Sequence, residues 1–272
     1  MIYLLSEEGR QALRASTDRP ILYAFDFDGT LAKISRDRRG VKLAPTTHEW
    51  LQELAKRASC AIVSGRALDD LRPRVNGAVP HLIGNHGVEG PLMSASVLHT
   101  AERTCHEWMT QIERELAGVF KDTGVEVENK RYTLTFHYRG VEDLTAVERT
   151  LVLLLDRLTP APRLIVGKAS VNALPPGNIG KGAAALALMA HLRCRGLFFI
   201  GDDETDEDVF GLEEGLIMGV RVGQRAESRA RYYLKHQGEI EDVLRFLTHR
   251  FDGTPDIAGQ ILRSPGGTIK PT

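Results

Sequence analysis

Residues 21–30 read ILYAFDFDGT: an unbroken apolar run drives straight into two aspartates one residue apart, a glycine and a threonine. An apolar run this short, with no polar alternation, is a strand buried on both faces, the kind that a parallel sheet covers with helices. The two like charges at its end demand compensation, because buried charges persist only when they are paired or bind a metal. The same texture recurs in CAIVSG at 60–65 and HLIGN at 81–85, each apolar and each stopped by glycine and polar residues. Between the first two strands lies TTHEWLQELAKRAS, a helix with Thr46 and Glu49 at capping-box spacing and Trp50, Leu51, Leu54 and Ala58 on one face. Strand, helix and strand at this spacing predict a parallel sheet flanked by helices.

The rhythm breaks near Pro91. A long helical stripe passes through Val97, Ala101, Cys105, Trp108, Ile112 and Leu116, and VEVENKRYTLTFHYR at 125–139 follows as two runs of period-two alternation. In the first, Val125 and Val127 point one way and Glu126, Glu128 and Lys130 the other. In the second, Tyr132, Leu134, Phe136 and Tyr138 form an apolar face opposite Thr133, Thr135, His137 and Arg139. That polar face is either solvated or turned onto a site, and alternation alone leaves both open. EDLTAVERTLVLLLDRL reads as a second apolar helix, and RLIVGKASVNAL as a strand pair turning at Gly167 and Lys168. The earlier rhythm then returns: helix GKGAAALALMAHL, strand LFFIG, helix DEDVFGLEE, strand LIMGVRV and a closing helix EIEDVLRFLTHRF. The fold class is therefore α/β: a parallel-sheet core with helices on both faces at 1–91 and 171–272, interrupted by an inserted α+β domain at 92–170.

Several classes of function are disfavoured by the totals. A net charge of −1 gives no general attraction to nucleic acid or to an anionic membrane. No apolar run approaches the roughly 20 residues that span a bilayer. MIYLLSEEGR meets glutamates before a signal-peptide core forms, so a cytoplasmic location is expected. Cys60, Cys105 and Cys194 are far apart and read as reduced thiols, not as a disulfide framework or a zinc site. The histidines show no metal-binding spacing, Trp50 and Trp108 read as core, and RDRRG at 36–40 reads as a solvated basic loop. The final stretch GQILRSPGGTIKPT reads as a loose tail.

Three strand ends deliver polar side chains to one edge: Asp26 and Asp28 after ILYAF, Ser64 after CAIV, and Asp202 and Asp203 after LFFIG, with Lys181 at the start of a helix. Singly, each aspartate would be a turn residue or helix cap. In this order, DFDGTL, IVSGR, the lysine of GKG and GDDETDED resemble the four motifs of the haloacid dehalogenase superfamily of aspartate-nucleophile phosphatases, with the insert where that superfamily places larger caps. The resemblance implies that Asp26 attacks phosphorus, that Asp28 is the general acid, and that Ser64 and Lys181 bind the transferring phosphoryl group. It also implies Mg²⁺ held by Asp26, the Asp28 carbonyl, Asp202 and Asp206, an all-oxygen set that suits a hard dication. Gly29 would let the chain turn sharply beneath the phosphate.

The insert narrows the family. VENKRYTLTFHYR resembles the E-x-K…HYR segment of trehalose-phosphate phosphatases, and IVSGRALDDL, IGNHGVE, GDDETDEDVF and SRARYYL extend the resemblance from about Pro20 to Leu247. It implies a small-molecule substrate, trehalose 6-phosphate, and allows functional coupling to a trehalose-6-phosphate synthase. Glu128 and Lys130 would contact sugar hydroxyls, as an acceptor and a donor suited to a polyol. Arg66, Arg139 and His86 join them as candidate substrate contacts, although structural roles for Arg139 and for a lone histidine at a strand end stay open. Asn172 stands in SVNALPPG where the family usually carries a glutamate, so sugar recognition there should differ in detail. Two alternatives remain: a phosphatase for another phosphorylated sugar or glycoside, such as sucrose 6-phosphate or mannosyl-3-phosphoglycerate, and a phosphatase-like module that binds without turnover.

Overall fold

The computed structural model describes residues 1–35, 37, 40–115 and 124–252. The chain begins with β1 (Ile2–Tyr3), α1 (Glu7–Ser16), β2 (Ile21–Phe25), α2 (Pro45–Ala55), β3 (Ser59–Val63), α3 (Leu68–Val75) and β4 (His81–Ile83). It continues through α4 (Ala95–Glu115), β5 (Glu126–Asn129), β6 (Leu134–His137), α5 (Leu144–Leu155), β7 (Arg163–Gly167) and β8 (Ser170–Leu174). It closes with α6 (Lys181–His191), β9 (Gly196–Gly201), α7 (Glu207–Phe210), β10 (Ile217–Val222), β11 (Tyr232–Leu234) and α8 (Ile240–Phe251).

The strands β1-β11-β10-β9-β2-β3-β4 form one sheet in that order, every described pairing parallel. Successive residues of β2 serve opposite faces, as strand geometry requires. Tyr23 and Phe25 pack with Leu13, Leu51, Leu54, Leu244 and Leu247 of α1, α2 and α8, while Leu22 and Ala24 pack with Ala185, Leu188 and Phe210 of α6 and α7. Helices on both sides explain why ILYAF carries no polar residue: all its positions are buried. The expected parallel core is thus the observed one.

The second sheet is antiparallel, β5-β6-β8-β7, with α4 and α5 packed on one face. Leu134, Phe136 and Tyr138 meet Cys105, Trp108, Ile112, Leu151 and Leu155 there, as their alternation predicts. β7 and β8 turn through Lys168 and Ala169, with Gly167 opposite Ser170. β8 is hydrogen-bonded to β6 and β7, so this sheet extends to Leu174 and the expected boundary at 170/171 passes through one of its strands.

Several local expectations are corrected. Thr46 is not a cap: α2 starts at Pro45 with no side-chain cap, and Thr46 and Thr47 instead donate to Glu241 Oε1 at 2.5 and 2.9 Å, tying α2 to α8. The helix read across 206–214 is the short α7, preceded by a 3-10 turn at Glu204–Asp206. Val97 lies on α4 yet is exposed, and Trp50 is only partly buried, its ring edge-on to His249. Leu116, all three arginines of the 36–40 loop and the C-terminal tail lie outside the described residues. Cys60, Cys105 and Cys194 are free thiols. Among the described residues no helix is long and apolar enough to cross a membrane.

Candidate active site

Because β3, β2 and β9 are adjacent and parallel, their carboxyl ends place Ser64, Asp26 and Asp202 side by side. Asp26, Asp202 and Asp206 bring one carboxylate oxygen each to within 4.8 Å of one another. Lys181, the first residue of α6, points its ammonium into this cluster and donates to Asp26 Oδ1 and Asp206 Oδ1 at 2.7 Å each. The other Asp206 oxygen accepts the backbone N–H groups of Asp202 and Asp203, both at 2.9 Å, so the motif folds around its own carboxylate.

Burial strongly disfavours the ionised form of Asp26 and Asp206 and Asp202 add to this, with Lys181 opposing, so the Asp26 carboxyl is held well above its usual range. Asp202 is pushed up to about 7, first by burial and then by Asp206 and Asp203. Burial works against the Lys181 ammonium too, but the two carboxylates outweigh it and keep the proton on. Three carboxylates facing one ammonium leave a negative surplus in a buried pocket, an arrangement that a dication would relieve.

A hard cation fits here on three counts. The donors are all oxygen, Asp202 Oδ1 is buried without a hydrogen-bond partner among the described residues, and Gly29 keeps space open. A Cβ on Gly29, which has φ +86°, would fall 2.2 Å from Asp202 Oδ2. Glycine is therefore required twice, by the backbone and by the neighbouring carboxylate.

The antiparallel sheet turns its polar face onto this cluster. Asp26, Asp28, Ser64, Arg66, His86, Glu128, Lys130, Arg139, Asn172, Lys181 and Asp202 all line one cleft of about 740 Å³, within the usual range for a small-molecule site. Asp206, fully buried, lies behind its wall. Thr133 and Thr135 are buried rather than solvated. Thr133 Oγ1 donates to Asn85 Oδ1 at 2.7 Å, and Asn85 Nδ2 donates to the Lys130 carbonyl at 3.1 Å. Lys130 Nζ reaches the Gly65 carbonyl at 3.1 Å, and Glu128 Oε2 sits 2.7 Å from His137 Nε2.

Three expected substrate contacts have additional engagements. Arg66 directs Nε and Nη2 at the two oxygens of Asp28, at 2.6 and 2.7 Å. Asn172 accepts from Thr135 Oγ1 at 2.9 Å and donates to the Ile165 carbonyl at 3.2 Å, bridging three strands of the second sheet. His86 is buried in left-handed backbone (φ 54°, ψ 28°). Its ring lies against Gly65, where a Cβ would come within 2.5 Å of Cε1. Burial, with Lys130 and Lys181, holds the His86 imidazole well below its ordinary value, and neither ring nitrogen makes a hydrogen bond of good geometry among the described residues.

Other cleft residues went unselected in the sequence. His137 lies on the polar face beside Glu128, a placement the alternation shows but the sequence alone does not mark as functional. Asp70 and Arg74 belong to α3, an element not foreseen, although R-x₃-D-x₃-R is a legible i, i+4 pattern.

A parallel sheet with helices on both faces, acids at its strand ends and a second sheet closing over them form a fold of the haloacid dehalogenase-like class. The trehalose-phosphatase family profile matches residues 24–232, and the chain belongs to that family. It is 27% identical over 257 residues to probable trehalose-phosphate phosphatase C of Arabidopsis thaliana, covering 87% of this chain and 79% of the relative. It is 32% identical over 196 residues to the trehalose-phosphate phosphatase of Mycobacterium tuberculosis (strain ATCC 25618 / H37Rv), covering 68% of this chain and 49% of that protein. In fold it is similar to the C-terminal domain of Candida albicans trehalose-6-phosphate phosphatase, with TM-score 0.66, 19% identity and coverage of 91% of this chain and 98% of that one. The sucrose-phosphatase of Synechocystis sp. PCC6803, solved with sucrose and phosphate, shares the fold at TM-score 0.55 and 20% identity, with 84% of this chain and 98% of that one covered.

Proposed function

We propose that this phosphatase hydrolyses trehalose 6-phosphate to trehalose and phosphate through an aspartyl-phosphate on Asp26. The observation that carries the reading is the convergence of Glu128 and Lys130, from the second sheet, with the buried acids of the first in one cleft. On this reading the insert, from residue 92 through β8, is a cap that reads the sugar while the strand ends perform the chemistry.

An Asp26 oxygen forms the bond to phosphorus as the bond from phosphorus to the sugar oxygen breaks, and Asp28 gives its proton to that oxygen so that the sugar leaves as a neutral alcohol. Asp28 then takes a proton from a water, whose oxygen attacks phosphorus and frees Asp26 and inorganic phosphate. Ser64 and Lys181 hold the phosphoryl oxygens, Lys181 as a point charge already fixed among the carboxylates. Mg²⁺ held by Asp26, Asp202, Asp206 and the Asp28 carbonyl would supply the positive charge that lets a carboxylate approach a phosphate. Asn172, uncharged and engaged within its own sheet, favours a second reading in which another phosphorylated disaccharide or glycoside is preferred.

Phosphate release from trehalose 6-phosphate, sucrose 6-phosphate and glucose 6-phosphate, with and without Mg²⁺, separates the two. Trehalose 6-phosphate should show the highest kcat/KM. Asp26→Asn should cost on the order of 10³-fold or more on every ester, as loss of a nucleophile does. A preference for sucrose 6-phosphate would sink the substrate assignment but not the chemistry. Binding without turnover by the intact chain would sink both.

A further inference from the structure

Asp28 does not stand alone at the cleft. Both its oxygens are gripped by the Arg66 guanidinium through Nε and Nη2. The remaining end of that guanidinium, Nη1, donates to Asp70 Oδ2 at 2.6 Å. Asp70 in turn is held by a second arginine, Arg74, whose Nε and Nη2 lie 3.1 and 2.5 Å from its two oxygens. Arg74 Nη1 finally donates to the Val41 carbonyl at 2.6 Å, on the same stretch between β2 and α2 that carries Asp28. The chain Asp28–Arg66–Asp70–Arg74–Val41 thus leaves that connection and returns to it, with α3 as its rigid back.

The spacing makes this possible. Arg66, Asp70 and Arg74 are four residues apart, so the turn entering α3 and the helix itself stack them on one face. Arg66 is fixed on its other sides as well. Its N–H donates to Ser64 Oγ at 3.2 Å, its carbonyl accepts from the Asn85 N–H at 2.7 Å, and its guanidinium lies 5.6 Å from the Phe27 ring centroid. The Arg66 and Arg74 side chains are each 12% exposed. Partial burial pushes the Asp70 carboxyl up, but the two guanidiniums win and hold it below its ordinary value. A planar fork constrains direction as well as distance, so Asp70 orients the edge that Arg66 presents to Asp28.

We propose that Asp70, backed by Arg74, is a positioning residue for Asp28, acting through Arg66: the two-pronged grip fixes the carboxylate form, and as Asp28 takes up the proton that it later donates, Arg66 keeps one bond and releases the other oxygen. This rests on the reading of Asp28 as general acid, and it gives Arg66 a task beyond the substrate contact expected of it.

The test compares kcat/KM, which reports the steps through alcohol release, on two kinds of ester. A sugar phosphate must have its leaving oxygen protonated, whereas p-nitrophenyl phosphate leaves as a stable phenolate and needs no acid. Asp28→Asn should lose roughly 10²–10⁴-fold on the sugar phosphate and far less on the aryl ester. Asp70→Asn should reproduce that selectivity at about tenfold, because misplacement of a catalytic group by a fraction of an ångström has this order of effect. Arg74→Lys, which keeps charge and loses the fork, should show the same pattern more weakly while keeping the melting temperature of the parent. Equal losses on both esters in Asp70→Asn and Arg74→Lys would make these residues merely structural and overturn the inference, with the acid role of Asp28 intact. Absence of selectivity in Asp28→Asn itself would overturn the acid assignment, and the inference with it.

Discussion

His86 shows what one residue contributes when it is buried without good partners. It and Asn85 both take left-handed backbone, at φ 54° and φ 48°, a conformation that costs a non-glycine residue on the order of 1 kcal/mol or more. What fixes them is a set of backbone bonds: the His86 N–H donates to the Ser64 carbonyl at 3.0 Å, and the Asn85 N–H to the Arg66 carbonyl. Motif and junction are thereby locked together. Burial, with Lys130 and Lys181 adding to it, depresses the imidazole pKa well below the ordinary 6.5 and favours the neutral ring in the fold. Below that value the unfolded chain binds a proton that the folded chain refuses, so this part of the stability is present above about pH 6.5 and is lost as the pH falls. His86→Asn keeps a residue that tolerates left-handed backbone and removes the titration. Urea unfolding at pH 7.5 and 5.5 should then show a smaller acid loss in the variant, the difference growing by up to about 1.4 kcal/mol per pH unit. Parallel losses in the two proteins would show that the depressed imidazole does not contribute.

At the level of elements, β6 carries two functions on its two faces. Phe136 is fully buried in the core of the second sheet, and Thr135 beside it is buried against the candidate active-site cleft. Phe136→Ala should destabilise the protein by about 3–5 kcal/mol in denaturant unfolding. Thr135→Ala, which removes one hydrogen bond to Asn172, should cost about 1 kcal/mol. Equal costs would mean that the period-two reading of this strand had misassigned its faces. That reading was available in the sequence because alternation in an antiparallel strand is a strong local signal. So were β2, β3 and β9, whose unbroken apolar runs end in acids, serine and glycine. β1 and β11 were not legible: strands of two and three residues at one edge of the sheet are too short to carry a period. The start of α2 was misread because its threonines answer to Glu241, nearly two hundred residues away, and not to the local backbone. The Asp28–Arg66 pair was hidden for the same reason. Each residue looked like a site residue, but nothing local says that one grips the other. The engagement of Asn172 within its own sheet likewise depends on strand pairing, because Thr135 lies opposite it across β6 and β8.

For the whole molecule the decisive relation is between the two sheets, since the proposed chemistry needs acids from one and sugar contacts from the other. They are joined on two sides of the cleft. On one, Thr133, Asn85, Lys130 and Gly65 form a hydrogen-bonded seam with little access to water. On the other, Arg163 at the start of β7 bonds the Ile179 carbonyl and pairs with Asp208 of α7 at 2.6 Å. Asp208 also accepts the Gly182 N–H at 3.0 Å, so the pair connects the second sheet to the first turn of the helix that carries Lys181. A half-buried ion pair of this kind is worth on the order of 1 kcal/mol, which is too little to decide folding but enough to bias how closely the sheets approach. Arg163→Met should therefore leave the melting temperature nearly unchanged. It should raise KM for the sugar phosphate by roughly fivefold, the equivalent of that 1 kcal/mol. On the proposed reading, inorganic phosphate would be held by Ser64, Lys181 and the Mg²⁺ that the acids bind, all on the parallel-sheet side of the cleft, so its inhibition constant should stay at the parental value. If phosphate inhibition weakened in step with KM, the Arg163 pair would be acting on Lys181 through Asp208 and Gly182, and closure of the second sheet would not be what it controls.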